Sequence, residues 1–171
     1  ILGLLASSAQ ADDASDPHYY ANQLPYGNAV SSTIKAPPAG YEVFFLETIG
    51  RHGSRTLTNS GPETRALSVW TAAAKKGKVR SLGQRFDNDV KAFRKVESTI
   101  GYGELSDAGK TEWSGIGRRT AVNYKTFVAK AVTDGDTVAF RTTSVHRTIQ
   151  SASAMRASLT AANASLQYAD R

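Results

Sequence analysis

Residues 41–55 read YEVFFLETIGRHGSR, from Tyr41 to Arg55. Val43, Phe44, Phe45 and Leu46 are an unbroken apolar run of strand-forming residues. Such a run, with no polar alternation, is the pattern of a strand covered on both faces, normally central and parallel. The spacing predicts a strand over Tyr41–Ile49. Ligands in open α/β sheets sit beyond the carboxyl ends of the strands, and Arg51-His52-Gly53-Ser54-Arg55 lies just past that end. Guanidinium forks at both ends of a five-residue turn suit the oxygens of one phosphate or carboxylate. Gly53 lets the backbone turn sharply between them. A neutral imidazole held there against a bound phosphoryl group is a nucleophile as well as a base. The competing reading is an exposed polar turn with solvated arginines.

A second stretch has the same order of strand, turn and arginine. Thr137 to Phe140 reads as a strand, Arg141 to Ser144 as its exit, and Arg147 to Ala162 as a helix burying Ile149, Ala152, Met155, Leu159 and Ala162. If the two strands are parallel neighbours, Arg147 arrives beside Arg51 and Arg55. The helix start would add backbone donors for an anion.

Arg51-His52-Gly53-Ser54-Arg55 resembles the Arg-His-Gly-x-Arg signature of the histidine acid phosphatase branch of the histidine phosphatase superfamily. Three further stretches agree, the first two being similar to secreted bacterial multiple inositol polyphosphate phosphatases of that branch and the third to a segment of the family as a whole. They are Pro38-Ala39-Gly40-Tyr41-Glu42, Gly103 to Gly109 with Gly115 to Arg119, and Arg141 to Ala152. The resemblance spans residues 37 to 160 and implies roles. His52 would be the nucleophile, and Arg51, Arg55 and Arg147 would clamp the phosphate. It implies a phosphomonoester hydrolase with a phosphohistidine intermediate, acting on inositol polyphosphates such as phytate, without metal or other cofactor. The family's remaining elements, a histidine and a proton donor in a His-Asp or His-Ala-Glu motif, do not occur in these 171 residues. Two departures stand out: Thr56-Leu57-Thr58 where many members carry proline two residues after the second arginine, and His146 where aspartate often precedes the third.

Length, one ordinary domain's worth, bounds the rest. The chain begins in an apolar segment, Ile1 to Ala6, followed by Ala9-Gln10-Ala11 and acidic Asp12-Asp13. Residues 1–11 read as the tail of a secretory signal peptide cleaved after Ala11, implying a secreted or periplasmic protein; a disordered Ala/Ser-rich terminus is the alternative. The segment is too short to span a bilayer. With no cysteine there is no disulfide framework or thiolate metal site. His18, His52 and His146 have no metal-ligand spacing. A net charge of +6 attracts polyanions of any kind. The excess lies largely in Lys75, Lys76, Lys78, Arg80, Arg85, Lys91, Arg94 and Lys95, either a substrate rim or a solvated helical face. Charge alone would also suit a nucleic-acid binder, but no recognition motif accompanies it.

Residues 12–40, with Pro17, Pro25, Pro37 and Pro38, read as an extended lead-in. Pro62 suits the start of a helix over Glu63–Lys76, stopped by Gly77. Leu82, Phe86, Val90, Phe93 and Val96 mark one apolar face of a second helix. Together they predict a helical cap insert at about 57–104. Ser106 reads as an N-cap with Asp107 in the first turn. Trp113, Ile116, Thr120, Tyr124, Phe127 and Ala131 then mark one long helix, whose Gly115 and Gly117 are expected to pack closely against the sheet. The expectation is an α/β fold with a central, mostly parallel sheet flanked by helices. Residues 41–171 would be its N-terminal portion, with the C-terminal part of the fold missing. The partner would be a small phosphate ester, the oligomeric state being open. The rival functions are a broad-specificity acid phosphatase and a phosphate-binding fragment without catalysis.

Overall fold

The computed structural model describes residues 35–169; the expected signal-peptide tail and most of the lead-in lie outside them. The chain order is α1 (Gly61–Lys75), α2 (Ser81–Ile100), α3 (Asp107–Asn123), α4 (Lys125–Asp134), β1 (Thr137–Val138), α5 (His146–Ala162) and β2 (Gln167–Tyr168). The strands are parallel, with Thr137 opposite Gln167 and Val138 opposite Tyr168. The architecture is helix-rich α/β with a small parallel sheet.

The core forms where α3 crosses α5. Met155, Leu159 and Leu166 are buried, and Trp113, Ile116, Val128, Val132, Val138 and Phe140 pack around them. Gly117 permits the close approach: a Cβ there would lie 2.8 Å from the Met155 carbonyl oxygen and 3.0 Å from Ser158 Cβ. Ser158 Oγ donates to the Ser114 carbonyl across the same contact at 2.7 Å. The glycine was expected to face the sheet. It faces a helix instead, and Gly115 lies beside the Arg119 guanidinium. The single long helix expected through Ala131 is two. Tyr124, at φ −116° and ψ 31°, closes α3 and opens α4, and the restarted helical phase brings Val128 and Val132 to the core.

Two other expectations are corrected. Residues 41–50 are not a strand. β1 pairs with β2, and among the described residues no ladder reaches this segment. Phe44 is 89% exposed and Tyr41, Phe45 and Ile49 are exposed with it, while Val43 and Leu46 are half-buried. An apolar run records that a strand is covered on both faces but does not say what covers it, and here β1 has another partner. The second correction concerns α2. Its apolar stripe points outward, with Leu82 75% exposed, whereas Asp87 and Glu97 are buried. The inward carboxylates have partners. Asp87 binds Lys91 Nζ at 2.6 Å, and Glu97 accepts from the Leu57 backbone N–H. A buried charge is tolerated when paired or hydrogen-bonded, so α2 faces the loop after Arg55 with its polar side.

Other local readings hold. α1 starts beside Pro62, and the Gly61 N–H donates to Asn59 Oδ1 at 2.9 Å. Gly77, at φ +64°, follows its end. The Trp70 indole N–H donates to the Gly83 carbonyl, joining α1 to α2. Among the described residues no helix is long and apolar enough to cross a membrane.

Candidate active site

The Arg51–Arg55 turn has little regular structure of its own, yet its backbone is held at Gly53, Ser54 and Arg55. Leu105 and Arg55 form an isolated antiparallel bridge. The Gly53 N–H donates to Ser151 Oγ on α5 at 3.1 Å, and that hydroxyl donates to the Arg147 carbonyl at 2.8 Å. The Ser54 N–H donates to Glu112 Oε2 at 2.8 Å and the Ser54 hydroxyl to Glu112 Oε1 at 2.9 Å. The Ser54 carbonyl accepts from both the Ser106 N–H and its hydroxyl, each at 2.9 Å. Ser106 Oγ also caps α3 by accepting from the Gly109 N–H at 3.2 Å. Thr56, 2% exposed, donates its N–H to the Glu104 carbonyl at 3.0 Å and its hydroxyl to the Gly101 carbonyl at 2.7 Å.

This density of bonds is possible because two backbones touch. A Cβ on Gly53 would lie 2.6 Å from the Gly109 carbonyl oxygen, and one on Gly109 would lie 2.2 Å from the Ser54 carbonyl oxygen. Both positions therefore exclude side chains for reasons of space rather than backbone angle. Trp113 covers Gly50 in the same way, its ring carbons 2.7 Å from a hypothetical Cβ.

Within this frame His52 is half-buried, and its Nδ1 lies 2.8 Å from the Gly53 carbonyl oxygen. A carbonyl only accepts, so Nδ1 carries a proton, and the tautomer this contact selects is the one whose Nε2 keeps its lone pair. Arg55 Nη1 donates to the Thr56 carbonyl at 2.6 Å, while its Nε is buried without a partner. Arg147, in the first turn of α5, also has a buried unpartnered Nε, and its Nη1 lies 3.8 Å from where a Gly103 Cβ would stand. Arg51 is exposed. The turn, the 103–106 strip and the start of α5 thus meet. They meet through Ser151, Leu105 and Gln150 rather than through adjacent parallel strands.

His146 and Glu104 form a further contact. His146 Nδ1 is 2.6 Å from Glu104 Oε2, and Gln150 Nε2 donates to the same oxygen at 2.9 Å. Gln150 Oε1 in turn accepts from the Leu105 N–H at 2.9 Å. The His146 bond holds the Glu104 carboxyl below its ordinary range, against an opposing push from burial, with Gln150 adding to the lowering. The departure at position 146 therefore makes a structural contact beside Arg147. Sequence reasoning did not single out Glu112, and Glu104 and Gln150 stood inside quoted stretches without a role. Ser151 stood inside a quoted motif, but without a role.

The α/β fold thus presents an Arg-His-Gly-Ser-Arg turn gripped by two helices, with Arg147 in the first turn of one of them. Residues 42–170 match the Histidine phosphatase superfamily (branch 2), and the chain belongs to that family. Solved structures with the same fold include the Bifidobacterium longum multiple inositol polyphosphate phosphatase. Its complex with inositol hexasulfate superposes with a TM-score of 0.76, and its phosphate complex and apo form with 0.77. Identity is 24% in each case; 83% of this chain and 28% of the other are covered, so the chain spans just over a quarter of those neighbours' length. No curated protein matches the chain.

Proposed function

We propose that the chain carries the nucleophilic half of a phosphomonoesterase that works through a phosphohistidine on His52. The observation that carries this reading is the His52 ring, with Nδ1 on the Gly53 carbonyl and Nε2 left as the reactive nitrogen. Arg51, Arg55 and Arg147 bind the phosphate oxygens and stabilise the charge that spreads over them in the transition state. The buried, unpartnered Nε atoms of Arg55 and Arg147 support this, since a buried donor without an acceptor is costly. The start of α5 adds open backbone donors, as no side chain caps it. In the first step the Nε2 lone pair attacks phosphorus and the ester P–O bond breaks. Its electron pair leaves with the oxygen, which takes a proton from an acid. In the second step water attacks phosphorus, the P–N bond breaks, the water's proton passes to a base, and phosphate departs.

Inositol polyphosphates, phytate among them, are the substrates we assign. The neighbouring fold is that of an inositol polyphosphate phosphatase solved with inositol hexasulfate, and the net charge of +6 suits a dense anion. Export, read from residues 1–11, belongs to the same proposal. A broad-specificity acid phosphatase is the nearer alternative. Phosphate binding without turnover is the other. The test compares inositol hexakisphosphate with p-nitrophenyl phosphate, using the protein as its gene encodes it. Preference for the inositol ester, lost in His52→Ala, supports the proposal. Equal turnover of both favours the broad enzyme. Phosphate binding without turnover of either ester overturns the enzymatic reading.

A further inference from the structure

Gly53 and Ser54 are the two residues between the nucleophile and Arg55, and their consecutive backbone N–H groups donate to side chains on different helices. Ser151 on α5 takes the first and Glu112 on α3 takes the second. Glu112 grips Ser54 twice, one carboxylate oxygen on the N–H and the other on the hydroxyl. A carboxylate bound through both oxygens fixes direction as well as distance. The two acceptors are themselves fixed, because α3 and α5 are locked together at Gly117 against Met155 and Ser158. The segment leading into the turn, residues 41–50, has no ladder among the described residues. The position of His52 is therefore set from the helices. Glu112 is engaged with Ser54 at both oxygens and is not bonded to the His52 ring, whose Nδ1 is on Gly53.

We propose that Glu112, with Ser151 opposite, is a positioning residue that holds His52 in register with Arg55 for attack on a bound phosphoryl group. This rests on the phosphomonoesterase reading above. The role belongs to its hydrogen bonds and not to its charge. A glutamine at 112 reproduces both bonds, its carbonyl accepting from the Ser54 N–H and its amide donating to the Ser54 hydroxyl oxygen.

The experiment uses the protein as its gene encodes it, with p-nitrophenyl phosphate as substrate. Displacing a reacting group by about an ångström costs on the order of 100-fold in rate. Glu112→Ala should therefore lower kcat about 10- to 100-fold, with KM within about 3-fold of wild type, the signature of a lost transition-state interaction. Glu112→Gln should stay within about 3-fold of wild type in kcat. Ser151→Ala should lower kcat like Glu112→Ala. Amide hydrogen exchange should quicken at Ser54 in Glu112→Ala, at Gly53 in Ser151→Ala, and at neither in Glu112→Gln. Wild-type kcat in both alanine variants overturns the proposal. So does an equal loss in Glu112→Ala and Glu112→Gln, which would assign the effect to charge. If Glu112→Ala does not fold, Ser54→Ala removes the hydroxyl bond alone and should lower kcat, and unchanged kcat there and in Ser151→Ala overturns the proposal. A wild-type protein without turnover, or a His52→Ala variant that keeps it, overturns the phosphomonoesterase reading instead. Exchange at Gly53 and Ser54 then still decides whether the two side chains hold the turn.

Discussion

His52 has two ring nitrogens, and the turn occupies one of them. Because Nδ1 is tied to the carbonyl of the next residue, the orientation of the ring follows the backbone of the turn. Replacing His52 by glutamine, which keeps polarity but has no ring lone pair, is expected to abolish turnover while leaving phosphate binding measurable by calorimetry. Arg147→Ala should weaken that phosphate affinity about 10- to 100-fold, the loss of a charge-assisted hydrogen-bonded partner. The Glu104–His146 pair gives a pH prediction. Glu104's folded-state value lies below its ordinary value of 4.5, so the stabilisation is complete above the unfolded value and is lost as pH falls through the folded one. Glu104→Gln should flatten the acid limb of a thermal-melt-versus-pH profile below about 4.5 and leave the profile near neutrality with the same slope.

At the scale of elements, the glycines decide more than the strand-forming residues do. Gly109→Ala would place a methyl against the Ser54 backbone, where no flexible side chain can yield. Overpacking of this kind costs about 1–3 kcal/mol, so urea midpoints should fall by that amount, and more than for Gly115→Ala, whose neighbour is the mobile Arg119 guanidinium. Glu97→Ala should cost about 1–3 kcal/mol as well, by leaving the N–H of half-buried Leu57 without its acceptor. Helix starts were legible in the sequence wherever local chemistry sets them, at Pro62 and Ser106 and just before Arg147. Both arginine motifs were legible for the same reason, since turn chemistry is local. Three things were not. The apolar stripe of α2 gave the right helix but the wrong buried face, because pattern reports amphipathicity and not which side has a partner. The Tyr41–Ile49 run showed strand preference, but pairing depends on long-range neighbours. Glu112 carried no local signal, because its significance comes from Ser54, 58 residues away.

For the whole molecule, the α3–α5 pair is the rigid body and the Arg51–Arg55 turn is fastened to it, with the α1–α2 hairpin facing the loop that follows. On that hairpin the side chains of Arg85 and Lys91 are exposed, and each is paired to an aspartate one helical turn away, Asp89 exposed and Asp87 buried. The exposed Arg85–Asp89 pair contributes little to stability, and a polyanionic ester can compete for it. Turnover of inositol hexakisphosphate should therefore fall more steeply with added salt than turnover of p-nitrophenyl phosphate. The central claim is that His52 carries the phosphoryl group between the two steps. The direct measurement is to mix the protein with a radiolabelled phosphomonoester, quench within milliseconds in alkaline detergent, and follow the label on the protein. The account predicts a label stable in alkali, lost in acid as a phosphohistidine is, mapped to the peptide containing His52 and absent from His52→Ala. Steady turnover with no protein-bound label, or a label that persists in His52→Ala, would contradict it.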